Sequence, residues 1–217
     1  MIAPRFVRRP ARMTTKLSLN LAERTEALEK IRDEILKLEA SPLYAFRIAN
    51  KSLPVIGEGS HEARIMLVGE APGKNEAATG RPFCGASGKL LDELLSSVKI
   101  SRESVYITNI VKDRPPENRD PSPEEIAIYG PFLDKQIEII QPEIIATLGR
   151  FSMQYIMTKF GLADFLLPIS QMHGQLFGTE ASHSKIKILP LYHPAAAIYN
   201  RKLLDTLKLD FAKLKEL

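Results

Sequence analysis

The stretch RIMLVGEAPGKNEAATGRPFCGASGKLL, Arg64 to Leu91, sets a short apolar run directly against a loop that holds five glycines, two prolines, two carboxylates and a cysteine. Such a run ending at glycine reads as a buried strand that stops in a turn, and the pattern from Ser87 to Val98 then reads as a helix. Working outward, three more apolar, β-branched runs have the same character: VYIT (105–108), EIIATL (143–148) and KIKILPL (185–191). Helical patterns lie between and around them. Asn20 with Glu23 resembles a capping box and predicts a helix to about Leu38, and Ser122, Pro123 and Glu125 open another. The spacing predicts further helices over Arg150 to Phe160 and Arg201 to Leu217. Near-continuously apolar strands alternating with helices imply a mostly parallel sheet covered on both faces.

A chain of 217 residues with 44% hydrophobic content is expected to form one domain over 20–217, preceded by a flexible basic tail over 1–19. No apolar run approaches the roughly 18 residues of a membrane span, and the N-terminal segment lacks a secretory apolar core, so the expected location is cytoplasmic. The net charge of +4 hints at a polyanionic partner. However, Arg5, Arg8, Arg9, Arg12 and Lys16 supply +5 before the first acid, Glu23, so the remaining chain carries −1. Any nucleic-acid contact by the body therefore needs a local patch, while the tail either adds a salt-sensitive contribution or simply solubilises. Cys84 is the only cysteine and the four histidines are far apart, which argues against a disulfide framework, a thiolate metal site or a zinc site.

In parallel sheets ligands bind beyond the carboxyl ends of the strands, here the loops GEAPG (69–73), NIVKDRPPENR (109–119), LGR (148–150) and YHPAAA (192–197). Nucleotide motifs fail there. GASGK lacks the first glycine of G-x-x-x-x-G-K-[ST] and has Leu90 after the lysine, and no G-x-G-x-x-G follows the first strand. The loops instead supply two carboxylates (Glu70, Glu76), an aromatic (Phe83), two amides (Asn109, Asn118) and a histidine before proline (His193). An aromatic face stacks on a planar base, and an amide offers donor and acceptor to its edge. A carboxylate orients water or stabilises a sugar cation, and a histidine supports charge leaving on the base.

GEAPGKNEAATGRPFCGASGKLL, VYITNIVKDRPPENRDPSPEE and PLYHPAAA resemble, in order, the motifs of the uracil-DNA glycosylase superfamily, specifically family 4, across about Leu38 to Lys213. The resemblance implies a three-layer α/β/α sandwich with a central four-stranded parallel sheet. It also implies a monofunctional enzyme that flips uracil out of DNA and hydrolyses its N-glycosidic bond. By the same resemblance Phe83 stacks on uracil, Asn109 pairs with its O4 and N3 edge, and His193 donates to O2. Glu70 is expected to act on the water and the sugar cation, the resemblance placing that burden there or on Asn118; Ala71 lines the base pocket, and Glu76 lies near uracil C5, excluding the thymine methyl. Arg81, Ser87 and Arg119 are expected at the DNA backbone, with Ile198 and Tyr199 as wedges into the vacated stack. Each residue also has an ordinary structural reading: Glu70 as a helix cap, Phe83 as core, Asn109 as a strand-end turn, His193 as a hydrogen-bonded histidine.

Family 4 resemblance also implies a 4Fe-4S cluster on four cysteines, and here the chain departs from the pattern. The corresponding positions read Leu38, Ser41, Asp113 and Tyr129, so no cofactor is expected. Packing of Leu38 and Tyr129, with Asp113 paired to Arg114 or Arg119, is expected to hold the loop instead. Ala77 stands where the motif often carries an acid, and Cys84 is expected to be a packing residue. The expected partner is uracil-containing DNA, bound by a monomer on the nucleoid with no membrane contact; contact with a polymerase clamp stays open. Two alternatives remain: a non-catalytic uracil- or abasic-site DNA-binding protein, and a small-molecule nucleobase enzyme.

Overall fold

The computed structural model describes residues 5–6, 19–181 and 184–216. Its centre is the strand quoted first, β3 (Ile65–Gly69), which pairs in parallel with β4 (Tyr106–Asn109) on one side and β5 (Ile144–Leu148) on the other. β7 (Lys185–Leu191) adds in parallel beyond β5, completing the expected parallel core of four. Short strands extend both edges. β2 (Glu58–Gly59) runs antiparallel on β4, β6 (Phe177–Glu180) antiparallel on β7, and β1 (Arg5–Phe6) parallel on β6, giving the order β1-β6-β7-β5-β3-β4-β2. The sheet among the described residues is thus wider and more mixed than the sequence led one to expect. Two-residue edge strands leave no periodic signal, and β6 carries only FGTE.

Because successive strand side chains point to opposite faces, each strand feeds two cores. Met66, Val68, Tyr106, Ile145, Ile186 and Ile188 pack on one face with α1 (Leu21–Leu36), α5 (Pro123–Ile140) and α6 (Arg150–Lys159). Leu67, Ile107, Ile144, Ala146, Leu148, Leu189 and Leu191 pack on the other with α4 (Ala86–Ser97) and α9 (Leu203–Lys215). This is the three-layer sandwich. Both expected capping boxes form: Asn20 with Glu23 starts α1, and Ser122 with Glu125 starts α5. No helix of the described residues is long and apolar enough to cross a membrane.

Four short helices were not expected: α2 (Tyr44–Ala49), α3 (Lys74–Thr79), α7 (Ile169–Met172) and α8 (Pro194–Tyr199). At four to six residues they are too short to display a period. Two of them, α3 and α8, sit inside loops that carry the candidate chemistry. The expectation of a flexible tail over 1–19 falls outside the described residues, apart from the paired backbone of Arg5 and Phe6 and the lead-in residue 19.

Candidate active site

The loops beyond the carboxyl ends of β3, β4 and β7 enclose a cleft of about 620 Å³. Glu70, Ala71, Glu76, Phe83, Ser87, Asn109, Asn118, Arg119, His193, Ile198 and Tyr199 all line it. Arg81 does not. Its guanidinium forms two hydrogen bonds to the Glu58 carboxylate, at 2.7 and 2.9 Å, outside the cleft.

Register puts Gly69 opposite Asn109 at the ends of β3 and β4. A Cβ at Gly69 would collide with Asn109 Oδ1 and the Phe83 ring, so the absence of a side chain there lets aromatic and amide converge. Asn109 is 1% exposed, and its Nδ2 has no protein hydrogen-bond partner. An unpaired buried donor costs about 1–3 kcal/mol, so its presence in a cleft marks a place for a ligand acceptor. Phe83 is buried, holds a left-handed φ of 47°, and stacks on the His193 ring at 5.6 Å between centroids and 30° between planes.

His193 precedes α8 and caps it: Nδ1 accepts from Ala195 N–H at 3.1 Å. With Nδ1 accepting, Nε2 carries the proton. Burial pushes the imidazole pKa down to about 4, against a weaker upward pull from Glu76, so the ring is a neutral donor at neutral pH. The hydrogen-bonded reading of His193 is thus realised by this cap, and a neutral Nε2–H is compatible with a donor role.

Glu70 follows β3 and lies against the start of α6, where the N–H groups of Phe151 and Arg150 donate to its carboxylate. Gly149, at φ 102°, makes that approach possible, since a Cβ there would strike Glu70 Oε1. Burial nevertheless pushes the Glu70 pKa up to about 7, assisted by Asp120 and opposed by the two amides and Arg150. Asp120 and Arg150 are themselves ion-paired. Sequence reading marked the LGR loop without a role for it; its role is this seat for Glu70.

Glu76 has a structural task. Its Oε1 accepts from Cys84 N–H at 2.9 Å and Gly85 N–H at 2.8 Å, bracing the start of α4 and the Phe83 turn. Cys84 is half-buried, with its sulfur 3.3 Å from Thr79 Oγ1. Glu117 and Asn118 sit side by side at φ 56° and 55°, a strained pair that holds Asn118 at the cleft with its Oδ1 accepting from Arg114 Nε at 2.7 Å. Arg119 pairs with the buried Glu125 at 2.6 Å. Ile198 and Tyr199 close α8 at the cleft, and Tyr199 is 91% exposed.

The four positions read as replaced cysteine ligands do not suit a cluster. Ser41, Tyr129 and Asp113 form a buried chain, Ser41 Oγ to Tyr129 OH at 2.8 Å and Tyr129 OH donating to Asp113 Oδ2 at 2.6 Å, while Leu38 packs against the core. Asp113 also pairs with Arg47, not with Arg114 or Arg119 as expected. Those two arginines are engaged by Asn118 and Glu125, whereas Arg47 on α2 is 3% exposed and donates further to the carbonyls of Ile35 and Leu36. Burial pushes the Asp113 carboxyl above its usual range, against the pull of Tyr129 and Arg47. No group of three or more metal-binding side chains occurs among the described residues.

Residues 56–215 match the family model described as the uracil DNA glycosylase superfamily. A Type-4 uracil-DNA glycosylase of Sulfurisphaera tokodaii is 45% identical over 193 residues, covering 88% of this chain and 85% of that protein. A Type-4 uracil-DNA glycosylase of Archaeoglobus fulgidus is 43% identical, covering 88% of this chain and 94% of its own length. A Type-5 uracil-DNA glycosylase of Thermus thermophilus is 35% identical over 124 residues, half of this chain.

Proposed function

This chain belongs to the uracil DNA glycosylase superfamily, and from that premise we propose that it accepts a uracil flipped out of DNA and hydrolyses its N-glycosidic bond. The product is an abasic site in an uncut strand. The observation that carries the reading is the unpartnered, buried Nδ2 of Asn109 at the cleft. Its N–H donates to uracil O4 while Oδ1 accepts from N3–H. Cytosine offers an amino donor in place of O4 and has no N3 proton, so both bonds fail and buried polar groups are stranded.

The other roles follow from the same pose. Phe83 supplies the stacking face, with Ala71 beside it at the pocket wall. Neutral His193 donates its Nε2–H to O2 as negative charge develops there, at no cost of deprotonating a cation. Glu70, in its ionised form, orients the attacking water and offsets the oxocarbenium charge, with Asn118 across the cleft as the second water ligand. Glu76 limits space at C5 through its place in the α4 cap. Ser87, at the first turn of α4, and Arg119 take flanking phosphates; Arg81 joins them only by leaving Glu58. Ile198 and Tyr199 fill the vacated stack. We assign no cofactor, because the buried Ser41, Tyr129, Asp113 and Arg47 already bind one another where a cluster would have to sit. The enzyme is taken to act as a monomer on nucleoid DNA.

A second reading, a uracil- or abasic-site-binding protein without turnover, is favoured by the loss of all four thiolates. Incubation with oligonucleotides bearing uracil, thymine, hypoxanthine or xanthine, followed by alkali, separates the two. Alkali-labile product from uracil that vanishes in Asn109→Ala and Glu70→Gln supports the enzyme; tight binding with no product supports the second reading.

A further inference from the structure

Three residues beyond Asn109 lies a lysine that the catalytic roles leave unused. Lys112 is fully buried, and no carboxylate is among its hydrogen-bond partners. Its Nζ donates to the Asn109 carbonyl at 2.6 Å, to Gln136 Oε1 at 2.6 Å and to Thr108 Oγ1 at 2.8 Å. The Thr108 hydroxyl spends its own proton on Ile56 O at 2.6 Å, so these three neighbours act as acceptors, with Ile56 O a longer fourth at 3.5 Å. Burial lowers the Lys112 pKa well below its usual value, whereas donation to oxygen acceptors favours the charged form of an amine in general.

A buried amine is costly unless its hydrogen bonds are met, and here they are met by oxygens on three separate residues. On its other side the turn after β4 is held by main-chain bonds: Ile110 N–H donates to Gly69 O at 3.1 Å and Val111 N–H to Glu70 O at 3.0 Å. Gln136 on α5 anchors the amine from behind, its Nε2 donating to Ile56 O at 2.9 Å and to Tyr106 OH at 3.2 Å. The Lys112 carbonyl in turn accepts from Val55 N–H at 2.8 Å. The Asn109 peptide is thereby fixed between the loop that carries Glu70 and helix α5.

We infer that Lys112 is a positioning residue for Asn109: its Nζ donates to the Asn109 carbonyl and so aims the side-chain amide that reads the base. The inference rests on the uracil reading of the cleft. It is tested with Lys112→Met, and with Lys112→Met/Gln136→Leu, which removes the main side-chain acceptor together with the amine. Single-turnover uracil excision, affinity for abasic-site duplex and the urea midpoint are measured for each. The expected result is a folded variant whose affinity for abasic DNA is unchanged, because no base reaches Asn109, and whose excision rate falls by about 10- to 100-fold. Its preference for uracil over cytosine narrows as well. A folded variant with the wild-type rate, or an equal loss of excision and abasic-site affinity, overturns the assignment. Failure of both variants to fold also overturns it, by making the amine a requirement of the whole domain. An inactive wild type instead refutes the uracil reading, and the role of Lys112 falls with it.

Discussion

Glu70 and His193 depart from their ordinary acidities in opposite directions, and both shifts come first from burial. With Glu70 near 7, the ionised fraction rises through neutrality, so excision is expected to climb with pH along one ascending limb centred near 7 and then to level. His193, near 4, adds no limb above pH 5. Glu70→Gln is expected to remove the limb and lower the rate by about 10² to 10⁴, as read in single-turnover pH profiles. Stability runs the other way. A carboxyl that holds its proton more tightly when folded contributes stability that is present below the usual carboxylate range and is lost as pH rises through about 7. Glu70→Gln is therefore expected to melt higher than the wild type at pH 8, the mark of a group kept for reaction rather than for folding. His193, with its folded value depressed, contributes stability that is present above its ordinary value and is lost as pH falls towards 4.

At the scale of elements, the turn after β4 is held by two consecutive buried side chains, Lys112 to α5 and Asp113 to both α2 and α5. Asp113→Ala leaves Arg47 buried without its partner and is expected to cost about 3–5 kcal/mol in urea denaturation. Tyr129→Phe, which removes one hydroxyl from the chain of bonds, is expected to cost about 1–3 kcal/mol. Here the limits of sequence reading become physical. The four central strands were legible because each is a compact apolar run, and α1 and α5 because their caps are local, three residues apart. Asp113 and Arg47 lie 66 residues apart, and nothing in the pattern RPPENR could tell Arg47 from the nearer Arg114 and Arg119. Only tertiary packing decides that pairing. The cleft residues were legible as a set because their types are chemically demanding. The bracing role of Glu76 and the cap made by His193 were not, since each depends on a helix of only a few residues or on amides with no side-chain signature.

Across the whole molecule, the proposed function assigns charge and shape separate parts in DNA binding. The segment before Asn20 carries +5, so a chain lacking residues 1–16 is expected to reduce the slope of log affinity against log salt by up to about 4, measured by binding titration, with the single-turnover rate unchanged. Tyr199 is almost fully exposed where α8 meets the cleft, and the proposed wedge role makes it matter for duplex substrates. Tyr199→Ala is expected to slow excision from duplex about tenfold and to leave single-stranded substrate untouched, since only the duplex has a stack to refill. Both effects presuppose a site that turns over without a cluster. The most direct test of that is single-turnover release of free uracil from a uracil-bearing oligonucleotide by protein dialysed against chelator, with iron content measured in the same sample. Stoichiometric uracil release from iron-free protein, abolished in Asn109→Ala, is the expected result; bound but uncleaved DNA, or activity that tracks added iron, would contradict it.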